Sequence, residues 1–263
     1  MWDRSRRAFV SRAFKRAALA FVLTSCGGGL PLLHPARVLG PGEVRAAAGF
    51  SANVASAGFA GPLRAATGQN PAGSIDEAFA KGALVAASVA PGVAPWASAR
   101  VGVGQSAEGG LTYTGRAVRA DVRRSFPLSG SWSLSLGAGG SAVLYGRQDG
   151  EALAHIDLAQ VHGWGADAPL LVGYSSDGDL YMFWLGARGG WEHVDTSAAP
   201  QFTLSATRWW AGGLLGLAVG FRHVHVAMEV DVSYASVTGD TGSTHAQVAG
   251  LMLTPSSCVW WAF

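Results

Sequence analysis

Residues 223–234 alternate strictly between two kinds of side chain, and no other stretch constrains the fold as tightly. His223, His225, Ala227, Glu229, Asp231 and Ser233 form one set; Val224, Val226, Met228, Val230, Val232 and Tyr234 form the other. Successive side chains of a strand point to opposite faces, so a strand here has one polar face and one wholly apolar face. A soluble sandwich would bury the apolar face under a second sheet. A membrane barrel would turn it to lipid and keep the polar face inside.

Strand length separates the two readings. Val44–Val54, Trp132–Leu144 and Tyr181–Glu192 repeat the period of two. Such runs are roughly 10 to 14 residues long, where soluble strands average ~5–6 and tilted membrane strands need ~9–11. Charged residues make up 14% of the chain, well under the ~25% usual for soluble domains. The longest uncharged candidates for a spanning helix, 82–99 and 125–146, are broken by Pro91 and Pro95 and by Pro127. A chain this apolar without a spanning helix points to a closed sheet, in which each backbone group pairs with a neighbouring strand. The fold expected is therefore all-β: an antiparallel up-and-down transmembrane β-barrel of 8–12 strands, ten being the preferred count.

Further strands are expected within 95–105, 152–161, 170–174, 213–221 and 245–263. Residues 82–90 fit a strand or a helix, and Ser74-Ile75-Asp76-Glu77 has the form of a capping box. In 111–124 the polar parity shifts near Ala117, which a β-bulge explains, as does a meeting of two strands. Pro91–Pro95 and Ser176–Asp179 read as tight turns. Tyr181, Trp191, Trp132, Tyr145, Trp209, Trp210 and Trp261 fall near strand ends, where amphipathic rings favour a membrane–water interface.

At the amino end, six of the 19 bases (Arg4, Arg6, Arg7, Arg12, Lys15, Arg16) precede a short apolar run, Ala17 to Val22, and then Leu23-Thr24-Ser25-Cys26. Basic region, apolar region and small-residue site are the layout of a secretory signal. This stretch resembles a lipobox, the processing site of bacterial lipoproteins. The resemblance implies removal of residues 1–25, acylation (palmitate-type) of Cys26, and retention in a Gram-negative outer membrane, with which Gly27 agrees. The chain ends Val259-Trp260-Trp261-Ala262-Phe263, similar to the terminal signal that barrel-assembly machinery reads in outer-membrane proteins. The implied partners are that machinery, the lipoprotein-sorting machinery and the lipid bilayer. The division expected is a signal peptide over 1–25, a flexible tether over 26–42, and a barrel over 43–263, with both termini of the mature chain periplasmic.

Cleavage would remove six of 19 bases and one of 17 acids, Asp3, leaving 13 against 16. No basic stripe remains, which argues against a nucleic-acid surface. With Cys26 acylated, Cys258 has no disulfide partner and reads as a small packed residue.

The polar faces collect Arg45, Arg100, Arg119, Asp121, Arg123, His155, Asp157, Arg188, Glu192, His223, His225, Glu229 and Asp231. Buried charges persist when paired, so the reading preferred is an ionic network filling a narrow lumen, since ~8 strands leave room only for side chains and open channels need ~16. Function then comes out as a structural or narrow-pore, porin-like role, with no motif for catalysis, no cofactor and no metal expected. The alternative is a ligand-binding or lipid-modifying barrel enzyme. It would draw on His155 with Asp157, or on His223 with Ser233. Strand neighbours His223 and His225 are also spaced to share a metal.

Overall fold

The computed structural model describes residues 28–67, 75–146, 153, 156–196 and 203–263. Ten strands form one closed antiparallel barrel in which each pairs with its sequence neighbours, and β1 closes on β10. They are β1 Val44–Ala55, β2 Gly92–Gly104, β3 Ala107–Tyr113, β4 Ala117–Ser129, β5 Trp132–Val143, β6 Val161–Ser175, β7 Tyr181–Thr196, β8 Leu204–Phe221, β9 Val224–Thr241 and β10 Thr244–Ala262. Closure removes the exposed edge that an open sheet would present. At the seam the backbones of Val44 and Phe263 exchange hydrogen bonds of 2.8 and 2.9 Å.

Alternation decides which side chains face out. On β9 the apolar set Val224, Val226, Met228, Val230, Val232 and Tyr234 is exposed by 41–57%, while His225, Glu229, Asp231 and Ser233 are buried inside. The same holds on β8, where Leu215, Leu217, Val219 and Phe221 are exposed and Leu214 and Ala218 are buried. Arg124 is an outward charge on β4, its guanidinium 5.5 Å from the Phe126 ring. Among the described residues no helix is long and apolar enough to cross a membrane.

The two ends of the barrel differ. One carries the β2–β3, β4–β5, β6–β7 and β8–β9 turns together with Val44 and Phe263. In the β2–β3 turn Gln105 and Ser106 both have positive φ, 51° and 56°, the type I′ geometry that suits the twist of a hairpin. The other end carries two helices between β1 and β2, α1 Ala57–Thr67 and α2 Glu77–Ser88. Helix α2 is capped by Asp76, whose carboxylate accepts from Phe79 N at 2.7 Å. It buries Phe79, Ala83, Leu84 and Val85 against lumen-facing Ala206, Ala235, Val237 and Val248, which stops that mouth.

The structure decides two open expectations and corrects others. Residues 82–88 are helical, because the Ala-rich run is buried on nearly every side in the mouth of the barrel. Pro91–Pro95 is no turn, since β2 begins at Gly92. The parity shift near Ala117 comes from two strands meeting, β3 and β4, joined by residues 114–116, and not from a bulge. The helix cap is Asp76, while Ser74 lies outside the described residues.

The largest departure concerns the expected tether. Residues 28–36 are packed inside the barrel, with Leu32, Leu33, His34 and Ala36 buried; Leu39 is buried farther along, while Arg37 and residues 41–43 are exposed. Gly28 lies against Ala94 and the Ser51 carbonyl, well inside the lumen toward the helical end. Gly42 N bonds to Gly102 O at 2.8 Å beside the tight turns. The segment thus runs down the lumen as a plug, so Gly28 and Phe263 lie toward opposite ends of the barrel. Gly and Pro content favours a tether, but the leucines between those residues need burial, and the lumen wall supplies it.

Candidate functional site: the lumen and its plug

Inward positions of β2, β3, β4, β6 and β7 carry a continuous ladder of buried charge. Arg123 Nε donates to Glu108 Oε1 at 2.8 Å, and Arg100 Nε donates to the same oxygen at 2.5 Å. Arg100 also grips Asp121 with both terminal nitrogens, at 3.2 and 2.5 Å. Arg119 bridges Asp121 (2.6 Å) and Asp167 (2.8 and 2.9 Å), and Arg188 Nε reaches Asp167 at 2.9 Å. Four guanidinium groups and three carboxylates thereby satisfy one another, as groups removed from water must.

The ladder also holds the plug. Arg123 donates to the Pro35 carbonyl, and Arg188 Nη1 donates to that of Leu30 at 2.6 Å. Leu39 N donates to Glu108 at 2.9 Å. On the opposite wall Glu229 accepts from Leu32 N and Leu33 N at 3.0 and 3.1 Å, and from Trp184 Nε1 at 2.9 Å. Trp184 can lie across β8 because Gly216 is there; a Cβ at Gly216 would sit 2.1 Å from the indole. Leu32, Leu33 and Ala36 pack with Trp96, Leu171, Met182, Trp184, Leu214 and Trp260. An extended segment lacks strand partners for its backbone, so these side-chain bonds answer the cost of burying bare amides and carbonyls.

Of the expected lumen residues, Arg45, Arg100, Arg119, Asp121, Arg123, Arg188, Glu192, His225, Glu229 and Asp231 are buried. Glu192 pairs with Arg208 at 3.0 Å, and the Arg45 guanidinium lies 4.8 Å over the Trp260 ring. His225 Nε2 lies 2.7 Å from the Asp179 carbonyl. His223 is not in the lumen. It sits exposed in the β8–β9 turn, Nδ1 2.8 Å from Ala262 O, and so does not share a site with His225 or approach buried Ser233. Asp157 caps the single helical turn Leu158–Gln160, accepting from Ala159 N at 3.0 Å, and is no part of the network. His155 and Cys26 lie outside the described residues. Cys258 is buried among the apolar lumen residues.

Sequence reading missed Glu108, Asp167, Arg116 and Arg208. Asp167 was findable, since Val161, Gly163, Gly165 and Asp167 alternate with His162, Trp164, Ala166 and Ala168. Glu108 sits in the seven-residue β3 beside two glycines, a run too short for periodicity to single out. Trp210, expected at the interface, points inward with the Arg188 guanidinium 5.0 Å from its ring.

On the outside, Trp164, Trp191 and Trp209 lie in contact, with centroids 4.4 and 6.0 Å apart. Beyond them toward the helical end, outward positions turn polar. His193 Nε2 is 2.9 Å from Asp195 and its Nδ1 is 3.0 Å from Thr207 Oγ1, and His245 pairs with Asp240 at 2.8 Å. Tyr174, Tyr181, Trp132 and Trp261 ring the tight-turn end.

No protein-family model and no curated protein matches this chain. Among solved structures it is similar to Neisserial surface protein A, with 12% identity, TM-score 0.32 and coverage of 84% of this chain and 96% of that one. It is also similar to Ail, the attachment invasion locus protein of Yersinia pestis (12%, TM-score 0.25, 85% and 99%), and to the outer membrane protease OmpT of Escherichia coli (8%, TM-score 0.36, 87% and 100%). Likenesses this distant carry nothing about activity.

Proposed function

We propose that this chain is an outer-membrane β-barrel lipoprotein whose barrel is closed by its own amino-terminal segment, so that it serves a structural role and is not an open pore. The observation that carries this is the plug, bonded to Glu229, Arg123, Arg188 and Glu108 around the lumen.

The membrane reading rests on the width of the outer belt. On β9 it runs from Val224 to Tyr234 and gives way to Ser236, Thr238 and Asp240. Ten steps of about 3.3 Å, tilted about 40°, rise about 25 Å, the height of the apolar band of an outer-membrane barrel. Trp164, Trp191, Trp209 and Tyr234 mark one edge, and Tyr174, Tyr181 and Trp261 the other. Tight turns belong on the periplasmic side of such barrels and longer connections outside, which turns the helical end to the exterior.

Cys26 is the residue we assign to acylation, on the lipobox.

Reconstitution in planar bilayers tests the reading. The intact chain should show heat-modifiable migration and pass no current, and deletion of residues 28–41 together with replacement of 57–88, which include the helix that stops the other mouth, by a short linker should produce conducting steps. A water-soluble mature chain overturns the membrane assignment, and steady conductance by the intact chain overturns the closed lumen.

A further inference from the structure

Above the plug, between Leu30 and the carboxyl end of α2 at Ser88 and Val89, the lumen keeps a chamber of about 80 Å3. At roughly 10–15 Å3 of such volume per water molecule, it has room for roughly five to eight waters. Its wall is charged, and the pairing of those charges is incomplete. Arg188 is neutralised by Asp167 and Arg208 by Glu192, while Glu229 is taken up by the plug amides and Trp184.

Two charges remain. Arg116, in the β3–β4 turn, is buried and donates through Nη2 to the Ala87 carbonyl at 2.6 Å, but has no carboxylate within ion-pair distance among the described residues, and its Nε bonds to nothing. Asp231, on β9, is buried beside Ser233; Arg188, already bonded to Asp167, attracts it across the wall, but no cation lies within ion-pair distance of it among the described residues. Arg208 Nε in the same wall is likewise without a partner among the described residues. A buried cation and a buried anion thus face one small chamber without meeting. Folding alone would favour bringing them together or replacing both by apolar groups.

We propose that the chamber binds a small zwitterion of the α-amino acid class, its carboxylate on Arg116 and its ammonium on Asp231. One such molecule would neutralise both groups at once, and Trp210, Val143 and Met252 give the same chamber an apolar side for a short side chain. The site rests on the closed-lumen reading, since the seated plug forms its floor; conductance by the intact chain overturns that reading, whereas failure to retain the ligand in a closed barrel overturns only this one.

The probe is radiolabelled L-alanine, equilibrated with the purified full chain in detergent both after folding and during refolding. Wild type should retain about one equivalent. Arg116→Met and Asp231→Asn should each weaken retention at least tenfold, while Arg222→Gln, in an exposed turn, leaves it unchanged. Propionate and ethylamine, each carrying one of the two charges, should compete poorly. Heat-modifiable migration confirms that each variant is folded. No retention by wild type, or retention indifferent to both substitutions in folded protein, overturns the proposal and leaves a chamber of water. Competition by propionate equal to that by alanine overturns it in favour of a simple anion site.

Discussion

Replacing Glu108 by Gln keeps the shape of the side chain and removes the one charge on which Arg100 and Arg123 converge. Glu108 is fully buried and also accepts from the amide of Leu39. After the change Arg100 keeps Asp121, but Arg123 keeps only backbone carbonyls of the plug among the described residues. Breaking a buried pair from one side costs about 3–5 kcal/mol, because the other charge stays buried. That is a loss of roughly two to three and a half decades in the folding equilibrium. The assay is urea unfolding of the barrel in lipid vesicles, read by tryptophan fluorescence and by gel mobility. Glu43→Gln is the control, since Glu43 is exposed and among the described residues its carboxylate accepts only from Gly40 N, at 2.8 Å; it should cost no more than about 1 kcal/mol. Adding Arg123→Met to Glu108→Leu should recover part of the loss, as taking out both ions removes the stranded charge. A Glu108→Gln loss under about 1 kcal/mol, or one equal to the control, would refute the idea that the ladder is dry and mutually dependent.

Three further outcomes are expected. Val230→Arg, on the outer face of β9 near mid-belt, should destabilise the barrel in bilayers by about 2–4 kcal/mol; a negligible effect in vesicles would count against burial of that face in lipid. Cys26→Ala should abolish incorporation of a fatty-acid probe and leave the barrel able to fold; absence of label on wild type would end the lipoprotein reading and leave the barrel reading intact. Beyond β5, the Tyr145 hydroxyl meets that of Tyr113 at 2.6 Å, and this bond, with a little desolvation, raises the Tyr145 pKa from 10.0 to about 12. The folded state therefore holds that proton more tightly than the unfolded chain. The bond's contribution is complete below pH 10 and is lost as pH rises through about 12. Alkaline titration of tyrosinate absorbance should show one late-titrating phenol that Tyr113→Phe returns toward 10.

What could be read from the residues follows from where the deciding forces lie. On β1, β5, β7 and β9 the partner of each outward side chain is a uniform medium, so alternation alone betrays the strand, its length and its polar face. The all-β barrel class followed from that, and the ten strands fall within the expected 8–12. The plug has no period, and its amides are satisfied by Glu229, 196 and 197 residues away; no local pattern records such a bond. Helix α2 was ambiguous because Ala and Val suit either element, and the mouth of the barrel decided between them. Trp210 sits one residue from exposed Trp209, and composition near a strand end does not distinguish an interface ring from one stacked on a lumen arginine. Glu108 and the unmatched pair of Arg116 and Asp231 become visible only once strand register brings distant segments together.

A thread inside a shut ring also restricts the order in which the molecule can be made. The plug joins β1 directly through Gly40–Glu43. Drawing the plug end-first through a lumen already packed with side chains would be far slower than closing the ring around a segment already laid in place. Its anchoring groups come from β3, β4, β7 and β9, so a curled sheet still open between β1 and β10 already presents all of them. Zipping of β1 onto β10, from Arg45 opposite Ala262 to Ala55 opposite Met252, would then be the last event of assembly. Damage to the plug's contacts would surface as chains that carry their strands but stall before the seam shuts.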